Sequence, residues 1–148
     1  MNAIDKVLFT GKTHTTASRR DGSSRVGHGA LDIQLSSGGE DQEQFAGIQP
    51  HPTAERWFAG AWSACYSAAL GAVAAQMKVK LPQDLSVDIE VDLGQSGTSW
   101  LLQARMHVHA PGLAQDVAEK LAQGAHEVCP YSKATRGNID VALRVTTS

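Results

Sequence analysis

The stretch AGAWSACYSAALGAVAA, residues 59–75, constrains this chain more than any other feature. It forms the middle of a helix expected from about Ala54 to Met77, with Thr53 placed to cap its first turn through a side-chain oxygen. Small residues stand on nearly every side of it, so other elements can approach closely while the helix itself buries little area unaided. Such a helix must be surrounded by the rest of the fold or by a second copy of itself. The run from Phe58 to Gln76 is followed by Lys78 and Lys80 and falls short of a membrane span, which leaves a buried or dimer-forming helix.

What surrounds it is written in period-two patterns. From Lys6 to Ala17 the chain is rich in Thr, then Arg20-Asp21-Gly22-Ser23 carries a tight-turn signature, and Leu31, Ile33 and Leu35 alternate with Asp32 and Gln34. These segments read as a hairpin. Ser86 to Leu93 alternates strictly, Gly94-Gln95-Ser96-Gly97 supplies a turn, and Trp100 to Ala110 returns with Gln103, Arg105, His107 and His109 on its polar face. Leu113, Val117, Leu121, Ala125 and Val128 then recur at helical spacing, Pro130 breaks the ladder, and Ile139 to Val145 alternates again. Hairpins separated by helices predict one α+β domain over residues 1–148, with antiparallel sheet around the small-residue helix.

Charge and cysteine usage narrow the function. Thirteen Lys and Arg against fifteen Asp and Glu give a net charge of −2 with no basic cluster, which argues against nucleic acid as a partner. MNAIDKVLFTGK lacks the basic and apolar regions of a secretory signal, so the expected location is the cytoplasm, with no membrane partner. Two cysteines there argue against a structural disulfide scaffold. The thiols do not form a C-x₂₋₄-C pair and His14, His28, His51 and His126 are scattered, so no metal site is expected.

Cys65 lies mid-helix and Cys129 at the end of the second helix, and only the fold can bring them together. Two readings stay open from the residues alone. The thiols are inert core hydrophobes, or they form a peroxidatic and resolving pair, which needs a cation near one thiol and the other within disulfide reach. Arg19, Arg20, Arg56 and Arg136 are candidates for the cation. His126, three positions before Cys129, is the single His near a cysteine in sequence and the only basis for a Cys-His hydrolase.

Around these cysteines the sequence resembles the organic hydroperoxide resistance branch of the OsmC-like family. The likeness is carried by AHEVCPYSKATRGNIDVALRV at 125–145, by AERWFAGAWSACY at 54–66 and by RDG at 20–22, and it spans nearly the whole chain. The resemblance implies a thiol peroxidase of organic hydroperoxides, with Cys65 as peroxidatic and Cys129 as resolving cysteine. Arg20 would activate the thiolate and Glu55 would hold Arg20. It also implies no bound cofactor, and re-reduction by dihydrolipoamide or a lipoylated protein. The chain departs from the family pattern with Arg19 for Gly, Ala54 for Pro and Trp62 for Tyr.

Glu55 and Cys65 would lie about 15 Å apart along one continuous helix, at a rise of ~1.5 Å per residue. A Glu55–Arg20 pair therefore reaches Cys65 most easily across a two-fold homodimer whose central helices pack together. Phe45, Ile48, Trp57, Phe58 and Trp62 are the apolar residues nearest the motif and are candidates either for a substrate pocket or for core. A peroxide-responsive sensor or an apolar-ligand binder with little turnover is the alternative function.

Overall fold

The computed structural model of the chain describes residues 3–18, 30–35 and 54–148. The turn holding Arg19 and Arg20, and the segment holding Phe45, Ile48 and Thr53, lie outside the described residues.

The chain is α+β. β1 (Lys6–Ser18), β2 (Ala30–Leu35), α1 (Ala54–Met77), β3 (Ser86–Ser96), β4 (Ser99–His109), α2 (Gln115–Val128), α3 (Pro130–Thr135) and β5 (Asp140–Thr146) follow in order. The strands form one sheet in the order β2-β1-β3-β4-β5. Every pair is antiparallel except the last, where β5 runs parallel to β4. That edge departs from the antiparallel arrangement expected, because α2 and α3 carry the chain back to the start of the sheet instead of folding it over in a hairpin.

The sheet sorts its residues by side. Val87 pairs with Val108, Ile89 with Met106 and Val91 with Ala104, all buried beneath α1. On the opposite side Asp88 pairs with His107 and Glu90 with Arg105, joined by Lys12 and His14 from β1 in cross-strand ion pairs. Asp92 belongs to this polar side yet is buried, because Thr10, Gln103 and Arg105 all donate to its carboxylate. The tight turn between β3 and β4 is Gly97-Thr98, two residues later than expected; Gly97 takes φ +58, which a glycine adopts without strain.

α1 buries Ala59, Trp62, Ser63, Tyr66, Ala69, Leu70, Val73 and Ala74, a stripe of helical period facing β1, β3 and α2. Its other side shows Trp57, Ala61, Ala68, Gly71, Ala72 and Ala75 at the surface. By length and composition α1 is apolar enough to cross a membrane, contrary to the reading from sequence, and half of that stretch is buried inside the fold. The helix ends before Pro82: Lys78 adopts φ 57, Val79 N–H donates to Ala74 and Lys78 N–H to Ala75.

Two glycines let α1 sit close to its neighbours. A Cβ on Gly11 of β1 would stand 2.5 Å from the Arg56 backbone nitrogen and 2.6 Å from the Glu55 carbonyl carbon. A Cβ on Gly124 of α2 would meet Val73 at 3.1 Å.

Candidate functional site

Cys65 occupies the middle of α1, half-buried, on the side where α3 crosses it. Cys129 is fully buried and stands at the joint of two helices, closing α2 and opening α3. Its N–H donates to Ala125 at 2.9 Å and its carbonyl accepts from Lys133 at 3.0 Å. The short helix α3 was not anticipated from sequence: Pro130 ends α2, and it also starts the next helix at the first position, where a missing N–H costs nothing.

The joint brings the two cysteines together. Both are free thiols, and the Cys129 S–H donates to Cys65 Sγ at 3.3 Å. Burial pushes the Cys65 thiol up, the Tyr131 backbone N–H that bonds to it pulls it down, and the neighbouring Cys129 adds a further upward push, for a net rise.

Three buried side-chain hydrogen bonds fix the helix that carries Cys65. Trp62 Nε1–H donates to Ser132 Oγ on α3 at 3.0 Å, Tyr66 O–H donates to the Ala122 carbonyl on α2 at 2.7 Å, and Ser63 shares a bond of 2.9 Å with Thr13 of β1. Ser132, Tyr131 and Gly11 had no role in the sequence reading. The serine and tyrosine lie within the motif around Cys129, and only a contact map could have shown which of its residues touch α1.

The remaining candidates fall into two groups. Glu55 lies in the first turn of α1, held against β1 by the room Gly11 leaves, about ten residues and hence roughly 15 Å of helix from Cys65. In this chain the two are not brought together. Trp62 is fully buried and Phe58 is half-buried, its ring edge-on to Trp62 at 5.7 Å and 90°, whereas Trp57 is 61% exposed. Of the candidate pocket residues described, Trp62 takes the core role. A cavity of about 540 Å³ lies elsewhere, on the polar side of the sheet among His14, Asp88, Glu90, Arg105, His107 and Arg144.

Of the other candidate cations, Arg136 donates to the His126 carbonyl at 2.9 Å. Burial, with the Arg136 charge beside it, pushes His126 down toward its neutral form. Among the described residues no group of three or more His, Cys, Asp or Glu side chains could hold a metal ion.

The family model described as OsmC-like protein matches residues 39–144. The chain is 39% identical to an organic hydroperoxide resistance protein of Xanthomonas axonopodis pv. citri over 148 residues, 97% of this chain and 98% of that one. It is 31% identical to organic hydroperoxide resistance protein OhrB of Bacillus subtilis over 138 residues, 93% of this chain and 98% of that one. Its structure is similar to the crystal structure of an organic hydroperoxide resistance protein from Elizabethkingia anophelis, with a TM-score of 0.65, 29% identity and 100% of both chains covered.

Proposed function

The chain belongs to the OsmC-like family, and from that premise we propose that it is a two-cysteine peroxidase that reduces organic hydroperoxides to alcohols and protects the cytoplasm against them. The observation that supports this most is the 3.3 Å contact between the Cys65 and Cys129 sulfurs, made by residues from distant parts of the sequence.

In the proposed cycle the Cys65 thiolate attacks the outer oxygen of ROOH. The O–O bond breaks, sulfur keeps one oxygen as a sulfenic acid, and the alkoxide leaves as ROH after taking a proton. The Cys129 thiol then attacks the Cys65 sulfur, a disulfide forms and the sulfenic oxygen departs as water. A dihydrolipoyl group, free or on a lipoylated protein, supplies the two electrons that restore both thiols. No bound cofactor enters the cycle.

A thiol that burial holds in its neutral form needs a cation to attack at neutral pH. We assign that role to Arg20, steadied by paired hydrogen bonds that its guanidinium donates to Glu55, because a guanidinium stays charged and can also donate to the peroxide oxygens. The distance along α1 favours Glu55 and Arg20 of one protomer serving Cys65 of its partner. The apolar surface side of α1, with Trp57 and Ala61, Ala68, Ala72 and Ala75, supports a homodimer built on paired central helices. Phe58 and Trp57, with Phe45 and Ile48, are the proposed apolar wall that selects organic peroxides over hydrogen peroxide.

The test is a titration of pre-reduced protein with cumene hydroperoxide, counting thiols, followed by dihydrolipoamide. Loss of both thiols at one peroxide per chain and rapid recycling is the expected result. Thiols that persist, or oxidation that dihydrolipoamide does not reverse, would replace this reading with a sensor or an apolar-ligand binder.

A further inference from the structure

We propose that the hydrogen bond from Trp62 to Ser132 is a positioning clamp that sets how readily Cys129 closes on Cys65. The inference deepens the peroxidase reading and rests on it for its physiological meaning.

The pair is placed for this task. Trp62 stands three residues before Cys65 on α1 and Ser132 three residues after Cys129, so each lies on the same helix face as its cysteine, one turn away. Both side chains are fully buried, and the indole N–H to hydroxyl bond spans 3.0 Å between α1 and α3. An indole N–H can only donate, so without the Ser132 oxygen it is stranded in the core and the two helices lose the contact that fixes their register. Tyr66 bonds α1 to α2 at the Ala122 carbonyl, so α1 is tied separately to both helices that meet at Cys129. Within α3, Thr135 Oγ1 and the Arg136 N–H both donate to the Ser132 carbonyl, each at 3.1 Å, which holds the serine to its own helix.

Register matters because the sulfenic acid on Cys65 has two fates. Attack by the Cys129 thiol forms the S–S bond and releases water; attack on a second hydroperoxide adds another oxygen, releases a second alcohol and leaves a sulfinic acid. A clamp that keeps Cys129 at contact distance raises the first outcome over the second.

The decisive measurement is the thiol–disulfide equilibrium of the whole protein against reduced and oxidised dithiothreitol, read by mass spectrometry, in the wild type and in Ser132→Ala, Trp62→Phe, Ser132→Thr and the double variant of the first two. The effective concentration of the cysteine pair is expected to fall about three- to tenfold in each single loss, the range set by one net hydrogen bond. Ser132→Thr, which keeps the hydroxyl, is expected to stay near the wild type, and the double variant to fall no further than the singles. Ser132→Ala should also convert Cys65 to sulfinic acid at a lower excess of cumene hydroperoxide. The two single variants remove one bond from opposite ends, so either that folds suffices.

Single variants that lower the melting temperature and leave the equilibrium at its wild-type position would overturn the proposal. The equilibrium needs no hydroperoxide. A shifted equilibrium in a protein that ignores cumene hydroperoxide would uphold the clamp and overturn the peroxidase reading; turnover with an unshifted equilibrium would do the reverse.

Discussion

Cys129 donates its S–H to Cys65 across 3.3 Å while itself fully buried, whereas Cys65 is half-buried. In the proposed cycle this asymmetry fits Cys65 as the attacking thiol and Cys129 as the resolving one.

Under the proposed cycle Cys65→Ser abolishes peroxide consumption, whereas Cys129→Ser still oxidises Cys65 but forms no intrachain disulfide. Mass spectrometry of the Cys129→Ser protein after one and after ten equivalents of cumene hydroperoxide should show sulfenic acid first and sulfinic acid later. Equal loss of activity at both positions, with no oxygen added to Cys65, would remove the order of events proposed here.

Arg20→Ala is expected to slow peroxide reduction by about 10²-fold or more, the usual scale for losing a preorganised charge at a reacting centre. The pH profile of Cys65 alkylation should move upward in the same variant. Mixing Arg20→Ala chains with Cys65→Ser chains should restore part of the activity if the proposed dimer forms, because one of its two sites then has all its parts. No recovery after subunit exchange would place Arg20 and Cys65 in the same protomer.

Gly11→Ala tests how α1 is seated. The added methyl would lie 2.5 Å from backbone at Arg56, which no side-chain rotation relieves, so the first turn of α1 must move and take Glu55 with it. A loss of about 1–3 kcal/mol in urea unfolding is expected from overpacking of this kind, together with slower peroxide reduction. A variant as stable and as fast as the wild type would show that the first turn of α1 is free to shift.

Asp92 is expected to contribute to the acid limit of the sheet. Burial alone would raise its carboxyl, but the hydrogen bonds from Arg105, Thr10 and Gln103 together with the Arg105 charge outweigh it and hold the group below the usual carboxylate range. The folded chain therefore takes up this proton at a lower pH than the unfolded one. The stability Asp92 adds is complete above the unfolded value of about 4 and is lost as pH falls through its folded value. Asp92→Asn should flatten the decline in melting temperature below about pH 4 while lowering the melting temperature at pH 7. An unchanged acid profile would assign the decline to other carboxylates, Glu90 first among them.

How far the sequence spoke for the fold can be followed element by element. Ala54–Met77 was legible because a long run of small and apolar residues ahead of Pro82 favours helix, and Ser86 to Leu93 because strict alternation fits a sheet with one wet side. The turn moved from Gly94–Gly97 to Gly97-Thr98 because β3 and β4 continue pairing through Gly94 to Ser96, where the apolar alternation has already stopped but hydrogen bonding has not. Trp62 offered no sign of whether it faced a pocket or the core; that depended on Ser132, seventy residues away, being there to receive its N–H. Asp92 looked like any other residue of the polar side, and its burial comes from partners on β1 and β4. Pairing of Cys65 with Cys129 was implied by family likeness alone, since a contact between distant helices leaves no local trace.

The parallel seating of β5 beside β4 has a bearing on how the protein is made. Cys129 lies on the long connection that must swing back across α1 before the last strand can dock, and a nascent chain meets Cys65 well before that connection exists. Contacts of such sequence separation form late. Until that connection folds back onto α1, each thiol is without the other.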